Sequence, residues 1–376
     1  MIGACDDAVN PPSNIPNRLP ARAAGVRSSA RVTTAAPRTV TLLISHAHKI
    51  LRSAALFACS LLAGCSTGGS DDPIAAARNL DGIESLLVWQ DGEFVFEAYF
   101  EGGRADQRDV RSVTKSVTAL LFGIAVDQGL VKADDPLSAY LPLAHESAQL
   151  EGLTLGHLLT MTSGLDWNEA NLAEYIDWQS AAKPTAHYLS RDRVRPHGTS
   201  FNYTSAGSHL IGGVIAQASG MSYAEFAHRH LFQPLGFGAV TWQELRDGST
   251  NSASALRLAA RDLVKLGQLV LNDGVWEGRR IVSSAWIEQM TRRHVAVERG
   301  IGYGYLWWVP DPTRLPAWVA RGFGGQQLIV LPEHDTVLVT TARWRGLDGP
   351  RSEYQAIAIG TYIEQTLAPH IIEGAL

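Results

Sequence analysis

The sequence predicts an α+β fold in which one antiparallel sheet is assembled from both ends of the chain and flanked by helices. Two apolar, strand-like segments lie near the start of the body, at 84–90 and 93–100, and Asp91-Gly92 between them is typical of a hairpin turn. Strand-like segments return after a long helical region, at 302–309, 316–321, 326–332 and 336–342, followed by a last helix near 351–367. Because strands and helices do not alternate as in βαβ units, we expect the strands of the two ends to share one sheet.

The inserted region carries the periodicity of helices. From Ser112 onward, Val117, Leu120 and Ile124 recur at helical spacing, and Gly129 is typical of a helix C-terminus. Further helices are predicted at 154–162, 205–219, 222–231, 254–272 and 283–291, separated by Gly, Pro and Asn.

Composition and charge exclude several classes of protein. The chain has 376 residues, of which 45% are hydrophobic and 18% charged, which excludes collagen, a coiled coil and wholesale disorder. Residues 1–64 carry seven Lys or Arg against two acids, which leaves 25 against 35 in the remainder. A body this acidic is a poor match for nucleic acid, because that affinity depends on neutralising phosphates. No nucleic-acid partner is expected.

The amino-terminal region reads as a secretory signal. Lys49 and Arg52 precede a short apolar run at 54–62, which leads into Leu-Ala-Gly-Cys ending at Cys65. The run is shorter than the roughly 20 residues that span a bilayer. The ending resembles a bacterial lipobox, which implies a lipid anchor on Cys65, and Ser66 resembles the residue that follows the cysteine in outer-membrane lipoproteins. A buried amphipathic segment is the alternative interpretation. The expected location is therefore the periplasmic side of a bacterial envelope.

Three segments follow from this reading. They are an excluded extension with signal peptide at 1–64, a tether at 65–80 and one domain at 81–370. Residues 1–45 lack periodicity and push the apolar run far from Met1, which favours a true start near Val40–Leu43. Within the domain, the sheet is expected from 81–111 and 300–370 and the helical part from 112–299.

The chemical signal is Ser112-Val113-Thr114-Lys115. Residues i and i+3 share a face in the first turn of a helix, so the hydroxyl and the ammonium can meet. The helix N-terminus favours negative charge developing there, and a buried lysine with a lowered pKa can take the serine proton. A second match, Ser180 with Lys183, precedes Pro184 and lacks an apolar helical face, so we expect it at the surface.

Other catalytic classes find no matching motif. The chain has no G-x-S-x-G elbow and no H-E-x-x-H pair. His228 and His230 are predicted to lie on the solvated face of a helix rather than to bind a metal. Neither a metal nor a cofactor is expected.

Collinear blocks give a family resemblance over about 84–367. The segment RSVTKSVTALLFGIAVDQGLV resembles the nucleophile helix of the serine β-lactamase and penicillin-binding-protein superfamily, and FNYTSAGSHLIG resembles its tyrosine motif. LTLGHLLTMTSGLDWNE, RLAARDLVKLGQLVLNDGVWEGRRIVSSAWI, GYGYLWW and GFGGQQLIVLPEHDTVLVT resemble further blocks in the same order. The likeness is greatest to the class C-type branch, which includes esterases, D-amino-acid peptidases and 6-aminohexanoate-dimer hydrolases. It implies an α/β sandwich of the serine β-lactamase type.

The resemblance also implies roles for particular residues. Ser112 would be the acylated nucleophile, Lys115 its general base, and Tyr203 the proton shuttle, with a phenol pKa lowered by the neighbouring ammonium. The backbone N–H groups of Ser112 and Gly325 would form the oxyanion hole. The implied substrate is a small ester, amide or β-lactam-like molecule, and the oligomeric state stays open.

The chain departs from the family at the third motif. Its first position, usually Lys or His, is Gly322 with Phe323 next, and Ser205 stands where the tyrosine motif often has Asn. Loss of the cation removes a contact to a substrate carboxylate. We expect Arg321 to point away from Gly322 by strand alternation. Replacement cations beyond the next strand are Arg343, Arg345 and Arg351.

Four further residues are candidates for substrate binding. They are Ser205, Gly324, Trp167 and Trp344, of which the tryptophans would line an apolar acyl pocket. The favoured function is an ester or amide hydrolase. A true β-lactamase or DD-peptidase is one alternative, and a non-catalytic lipoprotein that binds peptidoglycan or a partner is the other.

Overall fold

The computed structural model describes residues 72–145, 147–298, 300–311 and 316–375. The strands there are β1 (Ile83–Gln90), β2 (Glu93–Tyr99), β3 (Arg108–Asp109), β4 (Thr241–Trp242), β5 (Leu256–Leu258), β6 (Val275–Trp276), β7 (Arg279–Arg280), β8 (Val295–Glu298), β9 (Ile301–Tyr303), β10 (Trp308–Val309), β11 (Trp318–Gly322), β12 (Gln326–Leu331) and β13 (Thr336–Ala342).

The α-helices of the same residues are α1 (Pro73–Ala77), α2 (Val113–Asp127), α3 (Leu155–Leu159), α4 (Leu172–Ser180), α5 (Pro184–Leu189), α6 (Ser205–Ser219), α7 (Tyr223–Ala227), α8 (Ala260–Leu271), α9 (Ser284–Thr291), α10 (Gly349–Tyr362) and α11 (Ala368–Ile372). One-turn π segments, His228–Phe232 and Ile363–Leu367, extend α7 and α10.

The main sheet joins the two ends of the domain, as the sequence predicts. Its strand order is β2-β1-β13-β12-β11-β10-β9-β8, and every neighbouring pair is antiparallel. The amino-terminal hairpin enters through the pairing of β1 with β13, in which Leu87 lies opposite Val339. The helical region between Val113 and Thr291 is inserted between these two contributions.

Both faces of the sheet are covered, because successive residues of each central strand face opposite sides. Leu86 and Val88 of β1 pack in a core with Ile359, Ile363 and other residues of the carboxyl-terminal helices. Leu87 packs in the second, larger core with α2, α6 and α8. The result is a helix–sheet–helix sandwich.

The buried helix α2 positions the candidate nucleophile. Thirteen of its fifteen residues are buried, since it runs between the sheet and the surrounding helices. Gly129 takes a left-handed φ of +71° directly after the helix, as its predicted C-terminal role requires. Gly123 lets Trp286 pack against the helix backbone, where the indole N–H donates to the Ala119 carbonyl.

The sequence placed three element boundaries wrongly. The predicted strand 302–309 is a hairpin, β9 and β10, because Gly304 N donates to Trp307 O and Leu306 has a φ of +58°. The predicted helix 254–272 begins only at Ala260, since Leu256–Leu258 pairs with β3 and β4. The carboxyl-terminal part of the sheet, predicted from residue 300, already begins with β8 at Val295.

The amino-terminal predictions lie outside the described residues. The signal peptide, Cys65 and residues 65–71 of the predicted tether precede residue 72. The rest of that predicted tether includes the short helix α1, in which Ala77 is buried. The boundaries of the three predicted segments therefore stay predictions. Within the described part of the chain, no helix is both long enough and apolar enough to cross a membrane.

Candidate active site

Ser112 lies at the N-cap of α2, where the first buried turn begins. Arg111 before it adopts a left-handed φ of +49°, which turns the chain from β3 into the helix. The side chain of Ser112 makes no capping bond to the helix, so its hydroxyl is not occupied by the helix backbone. Among the described residues, none accepts a hydrogen bond from its backbone N–H.

Lys115 lies one turn along, as the i, i+3 spacing predicts. Its side chain is among the largest fully buried ones, at 1% exposure. The Nζ donates to Ser112 Oγ at 3.0 Å, to Ser205 Oγ at 2.9 Å and to the Ala253 carbonyl at 2.9 Å. Every hydrogen of the ammonium is therefore assigned to one acceptor.

Burial lowers the pKa of Lys115 to about 8, because the charged form is desolvated. The negative charge of Glu169 opposes the fall, while the nearby Arg111 guanidinium adds to it. At neutral pH roughly a tenth of the amine is neutral, which makes it available as a base.

Tyr203 reaches the same point from the loop before α6. Its ring centroid lies 5.0 Å from Lys115 Nζ, and the ring stacks on Trp308 at 5.9 Å. The side chain of Ser112 favours ionisation of the phenol and so limits the rise in the pKa of Tyr203. The predicted lowering of the phenol pKa is wrong, since burial raises the pKa of Tyr203, and Glu169 and Tyr175 add to the rise. The phenol is therefore a neutral proton donor at physiological pH.

The sequence predicts Ser205 as a substrate-binding residue, but its side chain does not face the cleft. It is 1% exposed, and its hydroxyl lies between Lys115 and Glu169, accepting from Nζ at 2.9 Å and donating to Glu169 Oε1. Its backbone N–H donates to Glu169 Oε2 at 2.9 Å. Ser205 is thus an internal link rather than a substrate ligand.

The sequence reasoning missed Glu169 as a member of the site. It lies two residues after Trp167, whose indole N–H donates to Glu169 Oε2 at 2.6 Å. Its only signal in the sequence is its place at the end of the block LTLGHLLTMTSGLDWNE.

The turn between β11 and β12 contradicts the predicted oxyanion role of Gly325. Gly325 is buried, and its N–H donates back to the Gly322 carbonyl at 3.3 Å. Phe323 is 40% exposed, and no described residue accepts from its backbone N–H. The turn abuts the serine loop, since a Cβ on Gly322 would lie 2.5 Å from Val110 O. The N–H of Gly324 likewise has no described acceptor, so both Phe323 and Gly324 offer free N–H donors in this turn.

Trp344 and Gly324 lie beside each other at one side of this turn. A Cβ on Gly324 would come within 3.0 Å of Trp344 Cβ, so close approach requires glycine there. The Trp344 ring lies between two guanidinium groups, with Arg111 Cζ at 4.2 Å and Arg345 Cζ at 4.8 Å from its centroid. Of the three predicted replacement cations, Arg345 therefore lies beside this turn, and Arg111, directly before the serine, lies against the same ring.

Arg321 and the other two predicted cations, Arg343 and Arg351, lie elsewhere. The Arg321 side chain is directed toward Glu364 of the carboxyl-terminal helices, as strand alternation predicts. Arg343 pairs with Glu101 at 3.6 Å and Arg351 with Asp348 at 3.8 Å.

Trp167 is not on the wall of the cleft. Its ring is 4% exposed and packs edge-on against Trp178 and Tyr188, so its predicted role in an acyl pocket is wrong. Ser180 and Lys183 are both exposed, and Ser180 Oγ donates to the Ile176 carbonyl. This second match is a surface pair, as predicted.

The two histidines predicted at the surface, His228 and His230, belong to no metal-binding group among the described residues. His228 is exposed, and His230 packs on Phe226 with 4.5 Å between ring centroids. Across the described residues, no group of three or more His, Cys, Asp or Glu side chains is arranged to hold a metal ion.

Comparison with known proteins assigns the class. The model of the Beta-lactamase family matches residues 76–360, and the chain belongs to that family. It is 25% identical over 292 residues to a 6-aminohexanoate-dimer hydrolase of Paenarthrobacter ureafaciens, covering 69% of this chain and 72% of the relative. The chain is thus a serine hydrolase of the β-lactamase fold, for which an acyl-enzyme mechanism is typical.

Solved structures share the fold. A penicillin-binding protein from Bacillus halodurans superposes with a TM-score of 0.62 at 19% identity, over 76% of this chain and 98% of that one. A D-stereospecific amidohydrolase from a Streptomyces species gives a TM-score of 0.60 at 18% identity, over 77% and 97%. The predicted helix-and-antiparallel-sheet fold is confirmed.

Proposed function

We propose that Ser112 carries the acyl group in the hydrolysis of a short ester or amide. The observation that carries the proposal is the 3.0 Å contact between Ser112 Oγ and the buried Nζ of Lys115. A serine hydroxyl becomes a nucleophile when a base removes its proton, and an amine with a pKa of about 8 meets that need.

Acylation follows from the positions of these groups. Neutral Lys115 accepts the Ser112 proton while Oγ forms a bond to the substrate carbonyl carbon. The N–H of Ser112 and a free N–H of the turn between β11 and β12, from Phe323 or Gly324, stabilise the oxyanion, and the helix N-terminus adds positive potential. Tyr203 gives its proton to the leaving oxygen or nitrogen as that bond breaks, and the Lys115 ammonium returns a proton to the phenol.

Deacylation uses the same groups in reverse order. A water molecule gives one proton to the Lys115–Tyr203 pair and attacks the acyl carbon, and Ser112 Oγ recovers a proton as the ester bond breaks. The products are the acid and a regenerated serine, so no cofactor is consumed.

An uncharged acyl group fits the third motif best. Gly322 supplies no cation, and a side chain there would meet Val110 O at 2.5 Å. The relative named as a 6-aminohexanoate-dimer hydrolase supports an amide among the substrates.

Ester hydrolysis by the purified chain tests this proposal. Residues 71–376 should hydrolyse a p-nitrophenyl short-chain ester, and Ser112→Ala should abolish turnover while leaving the thermal unfolding midpoint unchanged. Ser180→Ala is the matched control, because that serine belongs to the surface pair, and it should retain full activity. Activity that survives Ser112→Ala would refute the assignment, whereas a folded wild-type chain without any hydrolysis would favour the non-catalytic alternative.

A second candidate is hydrolysis of an anionic amide or β-lactam, and Arg111 favours it. Its guanidinium pairs with Asp109 at 3.6 Å and lies against the Trp344 ring beside the turn, where it could also contact a substrate carboxylate. We expect labelled penicillin to acylate slowly, because the cation of the third motif is missing. Rapid labelling with steady turnover, lost in Arg111→Ala, would favour this second candidate.

We further propose that the mature protein is anchored by a lipid on Cys65, at the periplasmic side of the envelope. The proposal rests on the basic, apolar and small-residue order before Cys65. Intact mass of the native protein should show cleavage before Cys65 and a diacylglycerol-sized addition, both absent in Cys65→Ala. A peptide from residues 1–38 in cells would contradict the proposed start near Val40–Leu43.

A further inference from the structure

Glu169 is the one carboxylate in direct contact with the Lys115–Ser205 hydrogen-bond chain in the described residues. We propose that Glu169 is a positioning residue, which fixes the direction of the Ser205 hydroxyl and thereby aims the lone pair of neutral Lys115 at Ser112. The inference rests on the proposed function, since it assumes that Lys115 acts as the base.

The donors around Glu169 decide the direction of the Ser205 hydrogen. Trp167 Nε1–H and Ser205 N–H both donate to Oε2, at 2.6 and 2.9 Å. These groups cannot accept, so the carboxylate takes the acceptor role toward both. Its other oxygen, Oε1, then takes the single hydrogen of the Ser205 hydroxyl. Ser205 has no second hydrogen to offer Lys115.

Two of the three partners of Lys115 can therefore only accept. The Ala253 carbonyl has no hydrogen, and Ser205 Oγ has given its hydrogen to Glu169. Each lies 2.9 Å from Nζ and occupies one amine hydrogen.

A neutral amine has two hydrogens and one lone pair. With both hydrogens assigned, the lone pair is left for the third partner, Ser112 Oγ, at 3.0 Å. Without Glu169, the Ser205 hydroxyl is free to rotate and donate to that lone pair, in competition with Ser112.

The pKa of Lys115 gives a second way to measure the effect of Glu169, because it depends on the charges around the amine. Glu169 raises the pKa of Lys115, whereas burial and Arg111 lower it. Tyr203 lies against the amine with its pKa raised, and Tyr175 beyond it has a raised pKa as well, so both phenols are neutral. Removal of the Glu169 charge lowers the pKa of Lys115 further.

Glu169→Gln reverses the hydroxyl. Both N–H donors need an oxygen at the Oε2 position, which leaves the amide NH₂ group facing Ser205 Oγ. Ser205 then accepts from the amide, and its own hydrogen turns toward Lys115 Nζ. The lone pair meant for Ser112 is occupied.

The test measures full-length Glu169→Gln against wild type with the short-chain ester. We expect kcat to fall by about ten- to a hundredfold with KM little changed, and the acid limb of the kcat/KM profile to move to lower pH. Glu174→Gln is the matched control, because that carboxylate pairs with Arg191 at 3.0 Å and does not contact Lys115. It should leave kcat and the pH limb unchanged.

A double variant separates positioning from a merely structural role. Glu169→Gln with Ser205→Ala removes the competing hydroxyl, so kcat should recover at least about threefold relative to Glu169→Gln alone. Additive losses, or a pH limb that does not move, would overturn the inference, as would a Glu169→Gln enzyme with wild-type kcat. The unfolding midpoint shows whether Glu169→Gln still folds. If it does not, Glu169→Asp, which keeps the carboxylate acceptor, is measured instead and must keep the acid limb at the wild-type pH.

Failure of the proposed function gives a different result. If Ser112→Ala retains activity, the assumption that Lys115 acts on Ser112 is wrong. If Ser112→Ala is inactive and the Glu169 variants behave as wild type, only the positioning role fails.

Discussion

At the scale of single residues, the site depends on a lysine that is buried among acceptors rather than beside a counter-ion. Its ammonium is satisfied by two hydroxyls and one carbonyl, all neutral. Burial of a charge without a contacting opposite charge is unfavourable, and the protein answers with a lowered pKa rather than with an ion pair.

The pH dependence of activity follows from that pKa. The base must be neutral, so kcat/KM for the ester should rise with pH and level off above about 8, the pKa of Lys115. A profile in which activity falls as pH rises through 8 would contradict the role of Lys115. The Tyr203 phenol should add no limb below pH 9, because its pKa is raised.

Sequence spacing predicts the Ser112–Lys115 contact because it lies within a single helical turn. The roles of Ser205 and Glu169 depend on hydrogen bonds between α6 and the loop after α3, which no local pattern encodes. The N–H of Gly325 was misassigned for a similar reason, since the direction of a backbone donor in a tight turn is set by three-dimensional geometry.

At the scale of elements, α8 holds the sheet from the side of the larger core. Gly267 on this helix lies directly against β12 and β13: a Cβ there would overlap Val337 Cγ1 and lie 2.9 Å from Leu328 Cδ1. Close packing of helix on sheet therefore requires glycine at this position.

Gly267→Ala should destabilise the protein by about 1–3 kcal/mol, measured by chemical denaturation, because the added methyl forces helix and sheet apart. Gly213→Ala on α6 is the matched control, since the nearest atom to its Cβ is 4.0 Å away. That change should be neutral or stabilising by up to about 1 kcal/mol, owing to the higher helix propensity of alanine. Equal effects of the two variants would argue against the packing account.

An ion pair ties α8 to β2. Glu97 accepts from Arg261 Nε at 2.7 Å, from Arg104 at 2.9 Å and from the Tyr99 hydroxyl at 2.6 Å. The hydrogen bond from Arg261 lowers the pKa of Glu97 from 4.5 to about 2.

A folded-state pKa below the unfolded value stabilises the fold above pH 4.5, and this contribution is lost as pH falls through about 2. Glu97→Gln should therefore lower the free energy of unfolding at pH 7, on the order of 1–3 kcal/mol. At pH 2 the variant and the wild type should differ little. A difference that is independent of pH would show that the carboxylate charge is not the cause.

At the scale of the whole molecule, the sequence predicts the architecture well where local pattern and tertiary role agree. The helix predicted at 205–219 and the strand predicted at 336–342 match α6 and β13, since each is bounded by turn residues and packs on a continuous core. The single strand predicted at 302–309 is wrong, because its apolar residues continue through a tight turn at Gly304 and form two strands. The helix predicted from residue 254 is wrong at its start, because Leu256–Leu258 pairs with β3 as a strand despite the helical periodicity.

The most direct measurement is peptide mapping by mass spectrometry after reaction with a fluorophosphonate probe, repeated across pH 6 to 9. We expect one adduct, on Ser112, with a labelling rate that rises through pH 8. An adduct on Ser180, or no adduct on a folded protein, would contradict the claim that a buried lysine activates the serine at the start of α2.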